Sequence, residues 1–367
     1  MSSAKLAEKK LRSLSRLLEE SGAESLVIVS RGNFLYVTGV DAGGILYMNA
    51  NTGERIALVP LMEFWKVSEA VEGKMDVYAV SRLAFDEEPD YPLILGTLTD
   101  AVSRFAGKDS KIALDGEPSQ QLKEKLSGKN FIDISKEVSL VRRKKMEEEI
   151  DLIEKASDIT ERAVLRASAS LREGMTEKEL YAELLYSLYR EGADGLAFDP
   201  IVAFEENASN PHALPGGRKL RRGNAVVIDA GAKSSSYCSD MTRTILFNSP
   251  QYRPLLENLI SSYYAALDNV RPGSSAKEVD AQARRALSWR RLEKFFIHSL
   301  GHGVGVEVHE APSVSPASDE TLLEGDVITI EPGFYIPRKL GMRVENTVLV
   351  TEKGGKPLNK LEFFIEI

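Results

Sequence analysis

The strongest constraint in this sequence is a set of acidic residues placed inside runs that otherwise read as apolar β-strands. Segment Ala225–Phe247 (AVVIDAGAKSSSYCSDMTRTILF) reads as two strands joined by a small polar turn, with Asp229 ending the first and Asp240 opening the second. A hairpin brings both to one place. GDVITIEPGFYI (Gly325–Ile336) reads as another strand, carrying Glu331, and MRVENTVLVT (Met342–Thr351) as one more, carrying Glu345. Such carboxylates are partly buried, and buried carboxylates do not stay charged without partners or metal. Each alone is explained by an arginine, as Glu345 is by Arg343. All four together argue for one cluster, so the fold must converge these strands and supply positive charge where they meet.

The histidines point the same way. All 4 lie in the second half, and His298, His302 and His309 fall within HSLGHGVGVEVH, interleaved with Gly301, Gly303 and Gly305. Glycine at that density weakens helix and strand alike, but it lets backbone approach closely. Four carboxylates carry the charge that two divalent cations neutralise; without metal they repel one another and their pKa values rise. An imidazole with carboxylate oxygens suits Mn²⁺, Co²⁺, Fe²⁺ or Zn²⁺ and does not resemble a cysteine-rich structural zinc site. Cys238 reads as a small buried residue of the hairpin.

At 367 residues the chain suits two domains. Before residue 140, β-branched runs of strand length (SLVIVS, ERIALVPL, MDVYAV, KIALDG, NFIDIS) alternate with helical patterns, predicting an α/β domain over 1–137. Leu11, Leu14 and Leu18 have helical spacing and should face its core. No Walker A or GxGxxG loop is present. Val141–Ala167 reads as one long charged helix opening a second domain over 138–367, with the basic cluster Arg142–Lys145 as a solvated junction. That domain contains an echo: Arg172-Glu-Gly-Met-Thr-Glu-Lys-Glu-Leu matches Arg271-Pro-Gly-Ser-Ser-Ala-Lys-Glu-Val. Gly174 and Gly273 suit left-handed turns, and Thr176/Glu179 and Ser275/Glu278 have capping-box spacing, so a duplicated helix–strand unit is expected. A net charge of −8 argues against a nucleic-acid surface. The lone cysteine favours a reducing cytoplasm. The charged amphipathic start is unlike a signal peptide, and no apolar run is long enough for a membrane span.

With these motifs the chain resembles the pita-bread metallopeptidases, the family of prolidase, aminopeptidase P and methionine aminopeptidase, over nearly its whole length. FDPIVAFEENASNPH (Phe198–His212) is similar to the family's first signature, VIDAGAKSSSYCSDMTRT to the segment with its paired aspartates, HSLGHGVGVEVHEAP to that with its histidines, and EPGFYI and GMRVENTV to those with its glutamates. SLVIVSRGNFLYVTGV (Ser25–Val40) is similar to the N-terminal domain of the Xaa-Pro branch, which methionine aminopeptidases generally lack. Ser299 stands where glycine is common, which touches no ligand position.

The resemblance implies an α/β N-terminal domain followed by an α+β pita-bread catalytic domain with internal pseudo-duplication. It implies two divalent ions per chain, Mn²⁺ or Co²⁺ ahead of Fe²⁺ or Zn²⁺, bridged by Asp240 and Glu345. Asp229 is then a ligand of one ion, His302 and Glu331 of the other. The implied reaction is hydrolysis of the bond preceding proline. Glu331 doubles as proton acceptor, His309 meets the oxyanion, and His212 handles a proton or contacts substrate. His298 and Arg343 are expected near the proline end and its carboxylate, and Thr242 behind Asp240. The expected partners are proline-containing dipeptides or short peptides, and the expected assembly is a homodimer. Xaa-Pro dipeptidase leads these expectations. An Xaa-Pro aminopeptidase for longer peptides comes second, and a non-catalytic metal-binding or interaction homologue third.

Overall fold

The computed structural model describes residues 3–87 and 89–367, with Ser3 and Ala4 as backbone only, so the first two residues of the expected 1–137 domain lie outside it. The chain forms two compact units, Met1–Arg142 and Arg143–Ile367.

The first unit is built on a seven-stranded sheet in the order Leu93–Leu95, Asp76–Ser81, Arg55–Pro60, Ile45–Asn49, Ser25–Ile28, Lys111–Leu114, Asn130–Asp133. The five predicted runs are all strands of this sheet; Ile45–Asn49 and Leu93–Leu95 complete it. Strand Ser25–Ile28 is antiparallel to Ile45–Asn49 and parallel to Lys111–Leu114. Leu11, Leu14 and Leu18 are almost fully buried, as their spacing predicts.

The second unit repeats one plan twice. Helices Glu147–Ser168 and Glu177–Arg190 share a core with strands Ile201–Phe204, Asn224–Ala230 and Met241–Phe247. Helices Arg253–Leu267 and Ala276–Ser288 share a second core with a sheet that includes Gly301–Gly303, Val327–Ile330 and Asn346–Thr351. Each fully buried leucine in these cores, such as Leu184 or Leu259, stabilises by roughly 1.5–3 kcal/mol. The sequence echo marks equivalent joints. Gly174 N–H donates to Leu220 O (2.8 Å) and Gly273 N–H to Leu322 O (2.9 Å), and both glycines have left-handed φ, 86° and 87°. Bridges Thr176↔Lys219 and Ser275↔Thr321 follow. The caps differ: Thr176 and Glu179 form the full capping box, whereas the Ser275 side chain makes no cap bond.

Three expectations change here. The predicted helix over Val141–Ala167 is two helices, Ser135–Arg143 and Glu147–Ser168, the second starting at a capping box in which Glu149 accepts from Met146 N–H. The basic cluster is not solvated, because each of three cations has an acceptor waiting. Arg142 is buried and donates to Asn33 Oδ1; Arg143 forks onto Asp326 (2.7 and 2.9 Å); Lys145 meets Glu310 at 2.5 Å. Only Lys144 of the cluster is exposed. Third, neither glutamate lies within a strand. Glu331 follows Val327–Ile330 and Glu345 precedes Asn346–Thr351, each where the chain passes between the five-stranded sheet and a two-stranded ribbon of Gly333–Ile336 and Leu340–Arg343. Pro332, which has no N–H, helps end the first strand.

Candidate metal centre

The carboxylates meet because of strand register. Asn224–Ala230 and Met241–Phe247 pair antiparallel, Asn224↔Phe247 through Ala230↔Met241, which sets Asp229 opposite Thr242 with Asp240 just before the second strand. The serine-rich tip is more than a turn: Ala232–Ser234 and Tyr237–Cys238 pair in a separate sheet around Ser235 and Ser236, both with positive φ. In the other half, Ile330↔Asn346 and Gly333↔Arg343 bracket Glu331 and Glu345 from two sheets. Their backbone is satisfied from neighbouring elements, Glu331 N–H by Leu300 O (2.8 Å) and Glu345 N–H by Thr242 O (3.1 Å).

Close packing accounts for the glycines around His302. A Cβ on Gly301 would collide with the Thr329 carbonyl, one on Gly303 with the Ala311 carbonyl, and one on Gly305 with the Glu310 carboxylate. His302 Nδ1 lies 3.1 Å from Gly303 O. A carbonyl only accepts, so Nδ1 carries a proton and Nε2 faces the acids. Nε2 is 3.3 Å from Glu331 Oε1 and 3.7 Å from Asp240 Oδ2. Ligand atoms of Asp240, His302 and Glu345 all lie within 4.8 Å of one another.

Behind the acids runs a hydrogen-bond chain. Arg343 donates to Asp229 Oδ2 (2.5 Å), Thr242 Oγ1 (3.0 Å) and Tyr335 OH (2.5 Å). Thr242 Oγ1 donates to Glu345 Oε2 (2.6 Å). Arg343 therefore pairs with Asp229, not with its chain neighbour Glu345, because Asp229 lies across from Thr242 on the adjoining strand. His298 Nδ1 donates to Ser299 O (2.8 Å), leaving Nε2 to accept from Tyr335 OH (3.0 Å). Tyr335 and Thr329, whose hydroxyl donates to Glu331 Oε1, are site residues that the sequence reading passed over. Tyr335 belongs to the EPGFYI run, and only its placement beside Arg343 gives it meaning.

Nine of the ten candidate residues line one cleft of about 620 Å³: the five proposed ligands, His212, His298, His309 and Arg343. Thr242 lies fully buried behind them. Phe198, Ile201, Pro211 and Leu214 give the cleft an apolar wall. The His309 ring is tilted against that of His302 with centroids 4.3 Å apart, while His212 is exposed. Tyr237 donates to Glu149 Oε1 and Cys238 is a free buried thiol, pushed up to about 12 by burial.

Electrostatically the cluster is short of cations. Burial, then the charges of neighbouring acids, raise Asp240 and Glu345 well above the usual carboxylate range. Asp229 is raised too, by burial, against the pull of Arg343. Glu331 is lowered: burial opposes its charge, but the hydrogen bond and charge of His302 outweigh that. His302 is raised, burial being outweighed by Glu331. His309 is lowered by burial and by His302. Asp229 Oδ1 is buried and has no hydrogen-bond partner among the described residues. An orphaned carboxylate oxygen, unneutralised acids and an imidazole nitrogen turned toward them fit divalent cations.

Comparison with known proteins agrees with this chemistry. Residues 151–352 match the model of metallopeptidase family M24, and residues 10–144 match the creatinase/prolidase N-terminal domain. The chain is 36% identical over 357 residues to the Xaa-Pro dipeptidase of Pyrococcus furiosus, covering 97% of this chain and 99% of that protein. It is similar in structure to an X-Pro aminopeptidase from Thermotoga maritima, with a TM-score of 0.86 and 30% identity over 98% of this chain and 99% of the other. The prolidase from Pyrococcus furiosus gives a TM-score of 0.79 and 33% identity over 95% and 99%. The duplicated second unit is thus the pita-bread fold, and the chain belongs to metallopeptidase family M24, with a creatinase/prolidase-type N-terminal domain.

Proposed function

We propose that this protein is a dinuclear Xaa-Pro dipeptidase. The observation that carries the reading is the buried Asp229 Oδ1, which has no hydrogen-bond partner among the described residues, beside acids that crowd one another despite Arg343 and His302. Asp229, Asp240, His302, Glu331 and Glu345 would hold two divalent ions, Mn²⁺ or Co²⁺ ahead of Fe²⁺ or Zn²⁺. Bound there, the ions supply Lewis acidity and bring the pKa of a water from 15.7 towards roughly neutral. Glu331 accepts the proton of the attacking water. His309 donates an N–H to the oxyanion that forms at the scissile carbonyl; burial and the neighbouring His302 lower its pKa. His212, exposed at the cleft wall, delivers a proton toward the proline nitrogen. Arg343 and Thr242 fix the carboxylates of Asp229 and Glu345. The apolar wall receives the proline ring, whose nitrogen offers no N–H for extended-chain binding. A cytoplasmic homodimer is the setting we propose, the free thiol favouring a reducing compartment.

A second reading, an Xaa-Pro aminopeptidase for longer peptides, has its own support. Arg343 is buried and engaged by Asp229, Thr242 and Tyr335, and both ring nitrogens of His298 are engaged. Both ring nitrogens of His298 are thus taken, and three of the five Arg343 N–H groups are already committed, which leaves a dipeptide's carboxylate less to bind than the dipeptidase reading expects. Leu-Pro, Leu-Pro amide, Leu-Pro-Ala and Leu-Ala, assayed with Mn²⁺ or Co²⁺ after chelation, separate the readings. Fast cleavage of Leu-Pro over Leu-Ala and over the amide is the expected result. Preference for the longer proline peptides selects the aminopeptidase, and full turnover in verified metal-free protein rejects both.

A further inference from the structure

We infer that Arg243, together with residues 361–363 near the C-terminus, holds Glu345 in place for cation binding, so that Arg243 is a positioning residue of the metal centre. The inference rests on the reading of Glu345 as a metal ligand. Glu345 sits in the gap between two sheets, outside any strand ladder, so its position must be set by specific bonds. Its N–H donates to Thr242 O and its carboxylate accepts from Thr242 Oγ1. Its carbonyl accepts from Arg243 Nη1 at 2.6 Å, and the same nitrogen reaches Thr242 O at 2.9 Å. Arg243 thus grips both Glu345 and the residue that holds Glu345.

The rest of the guanidinium faces the other way. Nη2 donates to Asn346 Oδ1 (2.8 Å) and Leu361 O (2.6 Å), and Nε to Glu362 O (3.2 Å). A guanidinium has five N–H groups, and all are used, every one on a neutral oxygen. Arg243 is fully buried, and burial lowers its pKa to about 10. The Phe363 ring lies 4.6 Å from its centre. The segment is itself pinned. Glu161 accepts from the N–H groups of Lys360 and Leu361, and Ile365 pairs with Ile245 on the strand that carries Arg243. Lysine keeps the charge but cannot bridge these five acceptors with one compact ammonium.

The test is Co²⁺ binding to metal-free Arg243→Lys and Arg243→Met, followed by chelator competition and d–d absorption, with the melting temperature of each metal-free protein recorded. Co²⁺ affinity should fall about 10–100-fold, the range for groups that orient ligands, with altered d–d bands in protein that remains folded. Wild-type affinity and bands in folded variants would overturn the inference, whatever happens to the melting temperature. If both variants fail to fold, Phe363→Leu, which removes only the ring over the guanidinium, decides in their place. A severalfold loss of Co²⁺ affinity then supports the inference and none overturns it. Wild-type protein that takes up no Co²⁺ overturns the metal reading itself, and this inference with it.

Discussion

Each unit of the molecule buries carboxylates, and the two treat them differently. Asp115, in the N-terminal unit, is 6% exposed, and burial raises its pKa as it does that of Asp240. Yet the protein supplies Asp115 with donors: Val29 N–H at 2.7 Å, Ser30 N–H at 3.2 Å and Asn33 Nδ2 at 2.8 Å. Those groups lie at the start of helix Arg31–Thr38, whose positive end favours an anion. Asp240, Glu345 and Asp229 crowd one another; Arg343 donates to Asp229 and Thr242 to Glu345, but Asp229 keeps one oxygen with no donor among the described residues. Burial therefore does not distinguish a structural acid from one proposed to bind metal. What distinguishes them is whether the protein itself completes the coordination of each oxygen.

The largest test of that contrast removes one acid from each set. Asp240→Ala or Glu345→Ala should lower activity more than about 10³-fold and strip bound metal, since each belongs to the proposed ligand set. The metal-free form of either variant should be at least as stable as wild type, because a repelling buried charge is gone. Asp115→Ala should do the opposite. Activity per folded molecule should stay within about twofold, while stability falls by roughly 2–4 kcal/mol as buried donors lose their acceptor. Metal analysis, kinetics and urea unfolding of the three variants check this. An Asp115 variant that loses metal, or an Asp240 variant that keeps it, removes the distinction.

Within the cleft, His302 and His309 sharpen the comparison, because their rings nearly touch yet are assigned different work. His302→Ala should lower metal content. His309→Ala and His212→Ala should retain metal and slow turnover by roughly 10²–10⁴-fold, the range for oxyanion and proton-transfer groups. If His309→Ala strips metal while His302→Ala spares it, the two roles are reversed.

Much of this was legible in the sequence, for identifiable reasons. Two apolar runs joined by a small polar turn gave the pairing of the Asp229 and Asp240 strands, and the duplicated Arg-x-Gly pattern gave the two-fold plan of the second unit. Acids in apolar runs gave the cluster. What escaped was set by long-range contacts. Arg343 was read with Glu345 because they are close in the chain, whereas strand register hands it to Asp229. The run Arg142–Lys145 looked solvated because the acceptors that bury it, Asn33, Asp326 and Glu310, come from distant segments. Glu331 and Glu345 looked like strand residues because apolar runs continue past them; the change of sheet at Pro332 and Val344 is a tertiary event. Arg243 stood in plain view in DMTRT, but nothing local says that its acceptors lie at residues 361 and 362.

The smallest expected effect is one of pH on stability, and it isolates the acids that need cations. In metal-free protein the folded-state pKa values of Asp240 and Glu345 are raised, first by burial and then by neighbouring acids. Above the ordinary carboxylate range the folded state then holds protons that the unfolded chain has released, so stability falls as pH rises through the raised values. Glu331, which is lowered, has the opposite sign, and its contribution is lost as pH falls. Asp115 is raised like Asp240, but it is the same with or without metal and cancels in a difference between the two forms. Metal binding requires the acids deprotonated, so the loaded form gains as pH rises. The melting temperature of the Mn²⁺-loaded protein minus that of the metal-free protein should therefore widen by several degrees between about pH 5 and about pH 8, each pKa unit being worth about 1.4 kcal/mol. Differential scanning calorimetry across that range measures it. A difference that stays flat would mean that Asp240 and Glu345 keep their charge without a cation, and the contrast with Asp115 would be gone.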